Sequence, residues 1–237
     1  KFAINNYNDY EKLVEAMDNS KYFSNPKLKE LAAIKGLYDS FYSLDYIPEN
    51  IISILNHIAK NSQWSLHKDI ASNCINEITK LSVGNPCPNF KFTDISNKEI
   101  SIEEFKGKYT YINFFASWNS NSLHEMEVIN QFQENYEFIN YISVNLDCDF
   151  KSYKKVTAEK LYKSWPVVYP LNKQSLITHF QLDHLPTHLL IDPDGNIHQY
   201  PALPPTTLYN SQSIDETFFK IEKTLSKNKI FKIGKKN

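Results

Sequence analysis

The chain has 237 residues and a formal net charge of −1 at pH 7, from 26 basic and 27 acidic side chains. All of the basic side chains are lysines, so the planar guanidinium groups that grip phosphate and guanine are missing, and we expect no nucleic-acid partner. Hydrophobic residues make up 41% of the sequence, which suffices for a packed core. No apolar run approaches the ~18 residues of a membrane-spanning helix.

The length fits two small domains better than one large one, because domains usually contain roughly 100–150 residues. Near residue 83 the hydrophobic pattern changes from helical to strand-like periodicity. We therefore predict a helical domain over 1–82, a second domain over 83–227 and a lysine-rich C-terminal tail over 228–237. The sequence begins at Lys1 without a signal-peptide pattern, and we expect it to be a processed or truncated product.

The first domain is predicted to contain about four amphipathic helices with short connections, which is typical of a small bundle. Asn8 or Asp9 can cap the first helix, and Pro26, which follows an asparagine, opens the second. The third helix opens at Pro48 and the fourth near Ser65.

Three cysteines occur, Cys74, Cys87 and Cys148, and no two of them are close in sequence. Cys74 falls on the apolar face of the fourth predicted helix, which favours a buried, unreactive thiol. His57 and His67 share no short metal-ligand spacing, and we interpret them as surface histidines.

The second domain is predicted to alternate strands and helices. A hairpin of 90–92 and about 96–100 precedes a turn, and the residues 109–115 form a strand buried on both faces. A proline-rich surface loop is predicted over 201–211, followed by a helix capped by Ser213. The remaining predicted elements are helices over 120–136, 151–162 and 174–180 and strands over 141–146, 187–191 and 197–200.

Four segments of this domain carry recognisable motifs in a fixed order. They read GNPCPNF at 84–90, SIEEFKGK at 101–108, LPT at 185–187 and LIDPDGNI at 190–197. Their order and spacing resemble the TlpA-like and AhpC/TSA branch of the thioredoxin superfamily. The resemblance covers about 83–227 and implies a thioredoxin-like α/β fold preceded by an all-α domain.

The family keeps a Trp-Cys-x-x-Cys motif where the buried strand runs into a helix, and this is where the sequence departs from it. Trp118 is present, but the positions equivalent to the two cysteines are Asn119 and Ser122. A dithiol at a helix N-terminus works because the helix dipole lowers the thiol pKa and the i, i+3 spacing allows disulfide exchange. Neither an amide nor a hydroxyl can exchange disulfides, so we predict a redox-inactive site that has no cofactor.

The resemblance also implies a groove beside the degenerate motif. The family's proline before the threonine is cis, so the bond between Leu185 and Pro186 is expected to be cis and to leave backbone groups free to pair with an extended peptide. We predict that a protein or an extended peptide binds there. The groove residues are predicted to be Trp118, Asn119, Ser120, Asn121, Ser122, Leu185, Pro186 and Thr187.

Other chemistry is less well supported by the sequence. Cys148 lies between two aspartates, whose charge disfavours a reactive thiolate, and a disulfide between Cys148 and Cys87 stays open. A metal site using His124, His184 and Asp183 lacks regular ligand spacing. His124, His184 and His188 are therefore interpreted as polar residues at the rim of the groove. No glycines flank Ser120 or Ser122 as a hydrolase nucleophile requires.

Two hypotheses follow. The first is a thioredoxin-fold binding or scaffold module without a redox dithiol. The second is a thiol-disulfide oxidoreductase that uses an unusual cysteine such as Cys148. By resemblance alone, the chain is expected in the bacterial periplasm or associated with the envelope.

Overall fold

A computed structural model of the chain describes residues 3–18, 24–41, 43, 45–159, 165–206 and 212–233. The chain divides into two compact units, 1–80 and 81–237. The predicted thioredoxin-like fold with preceding helices is confirmed in this structure, as shown below.

The first unit is helical, and its helices begin at the predicted signals. Asn25 accepts hydrogen bonds from the backbone of Lys27 and Leu28, and a proline occupies the first turn of the second helix. A short π-helical segment, Ala3–Tyr7, precedes the first α-helix. The four α-helices described are α1 (Tyr10–Asp18), α2 (Pro26–Ser40), α3 (Pro48–Asn61) and α4 (Ser65–Thr79).

The interior of this unit is apolar except at one cluster. Ile34, Leu37, Ile51 and Ile58 are almost completely buried, and Cys74 is half-buried against this core. The predicted surface position of His67 is wrong, because its side chain is only 1% exposed and lies 2.8 Å from the Glu30 carboxylate. A buried carboxylate can hold a histidine inside a core that would otherwise exclude it.

The second unit is built on a mixed seven-stranded sheet. Its strands are β1 (Lys91–Thr93), β2 (Glu99–Ser101), β3 (Tyr109–Phe115), β4 (Ile139–Asn145), β5 (Val167–Pro170), β6 (Thr187–Ile191) and β7 (Ile197–Gln199). The order across the sheet is β2-β1-β5-β4-β3-β6-β7. Strand β3 pairs in parallel with β4 and antiparallel with β6, so it lies inside the sheet with a strand on each side.

Helices cover the sheet, and apolar clusters lie on both of its faces. A short 3-10 helix, Ile102–Phe105, leads into β3. The α-helices of this unit are α5 (Ser120–Asn135), α6 (Phe150–Glu159), α7 (Lys173–Phe180) and α8 (Ile214–Ile233). The loop after β3 therefore delivers the chain directly into the N-terminus of α5.

Three sequence predictions for this unit need correction. Strand β5 was missed, because four residues bounded by prolines give too short a periodic signal; it pairs with both β4 and β1. The 201–211 segment was predicted to be a surface loop, yet Ala202 and Thr206 are buried, and residues 207–211 lie outside the described residues. Helix α8 continues to Ile233, past the predicted start of the tail, since lysine is a good helix former.

Helix α6 is described only to Glu159, so its predicted end near residue 162 lies outside the described part of the chain.

Candidate functional site

The site begins where β3 passes into α5. Asn119 is the N-cap of α5, and its Oδ1 accepts a hydrogen bond of 3.0 Å from the backbone N–H of Ser122. This bond satisfies one of the donors left free at a helix start. Trp118, immediately before the cap, is 72% exposed, which is unusual for a side chain with so much apolar area.

Asn119 also reaches across to the loop before β6. Its Nδ2 donates a hydrogen bond of 2.8 Å to the backbone carbonyl of Leu185. The Leu185–Pro186 peptide bond is cis, and Thr187 donates its hydroxyl to the His184 carbonyl at 2.7 Å. The backbone of Leu185 was predicted to be free to pair with a peptide, but its carbonyl already accepts a hydrogen bond from the Asn119 amide.

The remaining predicted groove residues divide by exposure. Ser120 and Asn121 are exposed, Leu185 and Pro186 are half-buried, and Ser122 is completely buried. Ser122 does not line the groove, because the helical period turns it toward the sheet two residues after the exposed Ser120. In the described structure the exposed face around Trp118 is therefore formed by fewer residues than the sequence predicted.

A buried ionisable pair lies behind this face. Glu125 on α5 and His188 on β6 are 5% and 3% exposed, and the Glu125 carboxylate lies 2.9 Å from His188 Nε2. The His188 ring stacks on Tyr111 with centroids 5.2 Å apart and planes at 11°. The interpretation of His188 as a rim residue is therefore wrong, and Glu125 was missed.

Two sequence signals could have found this pair. Glu125 lies three residues after Ser122, so both share one face of α5. His188 alternates with the buried Leu190 on β6, so both point to the same face of the sheet.

The cysteines do not form a redox pair in the structure. All three thiols are free, and Cys148 is exposed. Cys87 donates its backbone N–H to the Gly195 carbonyl, near the end of the sheet where β3 begins. Cys148 follows β4, which is parallel to β3, and therefore lies at the opposite end of these strands. A seven-residue strand spans about 20 Å, and a disulfide needs Cα atoms within about 7 Å, so Cys87 and Cys148 cannot pair in this fold.

The surroundings of the two thiols differ in kind. Burial raises the pKa of Cys87 to about 12, so its thiolate is scarce near neutral pH. The Cys148 thiol lies 3.5 Å from the Asp149 carboxylate.

The Asp147 carboxylate is buried and accepts a hydrogen bond of 2.7 Å from the backbone N–H of Ser117. This bond joins the loops that follow β3 and β4.

The described residues contain no group of three or more histidine, cysteine, aspartate or glutamate side chains placed to hold a metal ion. No helix in the described ranges is both long enough and apolar enough to cross a bilayer.

Comparison with known proteins agrees with the geometry. Residues 107–197 match a family model described as thioredoxin-like. The thiol-disulfide oxidoreductase ResA of Bacillus thuringiensis subsp. konkukian is 28% identical over 123 residues, covering 51% of this chain and 69% of ResA. ResA of Geobacillus kaustophilus is also 28% identical, over 132 residues that cover 55% of this chain and 75% of the relative.

A crystal structure of a putative thiol-disulfide oxidoreductase from Bacteroides vulgatus superposes with a TM-score of 0.53 at 24% identity, covering 60% of this chain and 97% of that one. This likeness concerns the fold. Together with the family match, it supports the thioredoxin superfamily for the second unit.

Proposed function

We propose that the second unit is a binding or scaffold module of the TlpA-like branch whose redox pair has been replaced by Asn119 and Ser122. The observation that carries this proposal is the double role of the Asn119 side chain, which caps α5 and bonds Leu185 across the groove. An amide engaged in this way joins the start of α5 to the loop before β6.

The chemistry of exchange supports the same reading. Disulfide exchange needs a thiolate that attacks one sulfur and a second thiol that resolves the mixed disulfide. Position 119 offers no nucleophile, and the Ser122 hydroxyl is buried. The relatives named as oxidoreductases therefore share the fold with this chain, while the two positions on which their named activity would depend carry other side chains.

The partner we propose is a protein or an extended peptide that contacts the exposed face around Trp118. Tryptophan is enriched among the residues that dominate binding energy at protein interfaces, and a 72% exposed tryptophan beside a rigid helix start is suited to that role. A peptide N–H that approaches the Leu185 carbonyl competes there with the Asn119 amide, which already donates to this oxygen.

Replacing Asn119 by aspartate tests this arrangement. Asn119→Asp keeps an N-cap acceptor for Ser122 but removes the donor to Leu185, so the Leu185 carbonyl becomes available. We expect binding of a reduced and carboxymethylated unfolded polypeptide to tighten by about fivefold to tenfold, the value of one hydrogen bond, as measured by fluorescence anisotropy.

Asn172→Asp is the matched control, because Asn172 caps α7 through Ser175. It should leave binding unchanged. Absence of binding to the wild type and to Asn119→Asp, or equal effects of the two substitutions, would remove the support for a peptide site at this face.

A gain-of-function variant tests the redox half of the proposal. The wild type should not reduce insulin above the buffer rate, whereas Asn119→Cys combined with Ser122→Cys should form an intramolecular disulfide in air. The N-terminus of α5 stabilises a thiolate at position 119 by about 0.3–1 kcal/mol. If the double variant folds and leaves both new thiols unpaired under mild oxidation, the equivalence of these positions with the family's cysteines is wrong.

A second candidate function uses Cys148. This thiol is exposed and follows β4 at the edge of the sheet where α/β folds keep their sites. Its thiolate would attack a substrate disulfide, form a mixed disulfide and release one substrate thiolate. A low-molecular-weight thiol would then attack the Cys148 sulfur and release the second substrate thiolate, and a second thiol molecule would regenerate the Cys148 thiolate while forming the low-molecular-weight disulfide. Reductase activity in the presence of glutathione, abolished by Cys148→Ser, would establish this candidate in place of the first.

We propose the bacterial periplasm or envelope as the location, on the strength of the motif resemblance. Fractionation of cells that express the full natural chain would test it, and recovery in the cytoplasmic fraction would overturn it.

A further inference from the structure

Four polar atoms behind the start of α5 have no hydrogen-bond partner among the described residues. They are Nδ2 and Oδ1 of Asn113, Oγ of Ser122 and Nδ1 of His188. Asn113 and Ser122 are completely buried and His188 is 3% exposed. Buried polar groups in native proteins are nearly always hydrogen-bonded, because leaving them unpaired costs the full desolvation penalty.

These atoms belong to one neighbourhood. Asn113 and His188 are directly opposite each other in the pairing of β3 with β6, so their Cβ atoms are about 5 Å apart. The stacking of His188 on Tyr111 puts it on the face of the sheet that Asn113 also shares, two residues along β3. Ser122 and Glu125 occupy one face of α5, and Glu125 joins that face to His188.

The chemistry of this neighbourhood limits what can bind there. Asn113 offers a donor and an acceptor, the serine hydroxyl offers both, and the imidazole nitrogen offers one or the other according to its tautomer. The only carboxylate, Glu125, already faces His188, so no free charge is available for an ion. A partner enclosed by side chains this deeply buried must be small and neutral, and must both donate and accept hydrogen bonds.

We propose that Asn113, Ser122 and His188 form an enclosed binding site for ordered water behind the N-terminus of α5. The bound water bridges α5 to β3 and β6, behind the bond between Asn119 and Leu185. It also touches the ring nitrogen of His188 that Glu125 leaves free. Internal water is common in globular proteins and typically makes about three hydrogen bonds.

Asn145 provides a control within the same sheet. It is as completely buried as Asn113, but its amide donates to Asp147 Oδ2 at 3.0 Å and its Oδ1 accepts the Asp147 backbone N–H at 3.0 Å. Its polar atoms are satisfied by protein groups alone. Water contact should therefore distinguish two asparagines of equal burial.

The test is NMR of the full chain carrying ¹⁵N-labelled asparagine, with detection of rotating-frame cross-peaks between water and the side-chain amide protons. We expect a cross-peak at Asn113 and none at Asn145. No cross-peak at Asn113, or equal cross-peaks at both residues, would overturn the proposal.

A high-resolution crystal structure gives an independent readout that needs no variant. It should show water density within hydrogen-bonding distance of at least two of the four atoms. Density for a protein group there instead, or side-chain rotations that pair the four atoms with each other, would also overturn the proposal.

Discussion

Each unit of the molecule buries one glutamate against one histidine, and the two pairs have different surroundings. In the helical unit, Glu30 lies 2.8 Å from His67 and also accepts hydrogen bonds from Tyr10, at 2.7 Å, and from Ser62. In the thioredoxin-like unit, Glu125 lies 2.9 Å from His188, and polar atoms without protein partners adjoin it.

The difference indicates what each pair is for. The carboxylate of Glu30 contacts three hydrogen-bonding side chains from three parts of the helical unit. It therefore stabilises the packing of these parts and needs no further partner. The pair of Glu125 and His188 is incomplete by itself and lies directly behind the candidate binding face. A fully satisfied buried cluster makes a fold rigid, whereas buried groups without partners call for a further partner or a functional role.

The largest expected effect is the loss of Glu30. Glu30→Ala leaves three donors without this acceptor, of which Ser62 and His67 are buried, and breaking a buried pair of this kind costs about 3–5 kcal/mol. We expect the helical unit to be destabilised by that amount, as measured by hydrogen exchange of peptides from α2 and α4. Glu11→Ala, at a side chain that is 73% exposed, should change the free energy of unfolding by less than about 0.5 kcal/mol.

The corresponding substitution in the other unit should cost less. Glu125→Ala orphans only one ring nitrogen, so we expect a loss of about 1–3 kcal/mol, measured by hydrogen exchange of peptides from α5 and β6. Glu127→Ala, two residues along on a side chain that is 65% exposed, is its control. A cost equal to or greater than that of Glu30→Ala would remove the distinction between the two clusters.

The pH dependence of the helical unit sharpens the comparison. Burial alone would raise the pKa of Glu30, but hydrogen bonds from Ser62, Tyr10 and His67 outweigh burial and hold the pKa below its ordinary value of 4.5. A carboxylate with a lowered folded-state pKa contributes stability above its ordinary pKa, and this is lost as the pH falls through the lowered value.

We therefore expect the free energy of unfolding of the helical unit to fall as the pH drops below 4.5, and Glu30→Gln to weaken that dependence. Acid denaturation of the two proteins in parallel measures the effect. An identical pH dependence in wild type and variant would show that Glu30 is not responsible.

The smallest effect concerns thiol reactivity and leaves stability unchanged. Burial raises the pKa of Cys74 and raises that of Cys87 to about 12, whereas Cys148 is exposed. Alkylation of the native protein should modify Cys148 at least about tenfold faster than the other two, because the thiolate is the reacting species. Rapid labelling of Cys74 in the folded protein would contradict its placement against the helical core.

The sequence was most informative where local pattern and burial agree. Strand β3 has the predicted bounds. Its seven residues follow a glycine-lysine turn and are mostly aromatic or β-branched, and they show no helical periodicity that would favour another structure. The start of α5 at Ser120 was also predicted, from the helical spacing of its apolar residues. Such features depend on neighbours in sequence.

The features that the sequence did not reveal depend on residues that are close in space but distant in the chain. Burial of His67 could not be read from its own segment, since it needs a glutamate 37 positions away in the chain, and the contact of His188 with Glu125 joins residues 63 positions apart. The same holds for the 201–206 segment, where the Leu203 carbonyl accepts the Tyr111 hydroxyl across 92 positions. Asn119 was predicted at the site from the motif resemblance, but its bond to Leu185 depends on the fold.

The proposed absence of dithiol chemistry is tested most directly by counting thiols across a range of redox potentials. The native protein would be equilibrated in glutathione buffers from reducing to oxidising, then unfolded in denaturant that contains an alkylating reagent, so that buried thiols also react, and weighed by mass spectrometry. We expect all three cysteines to stay alkylatable or, at the exposed Cys148, to carry a glutathione adduct. A species in which two cysteines resist alkylation and carry no glutathione would reveal an intramolecular disulfide and contradict the proposed loss of redox function.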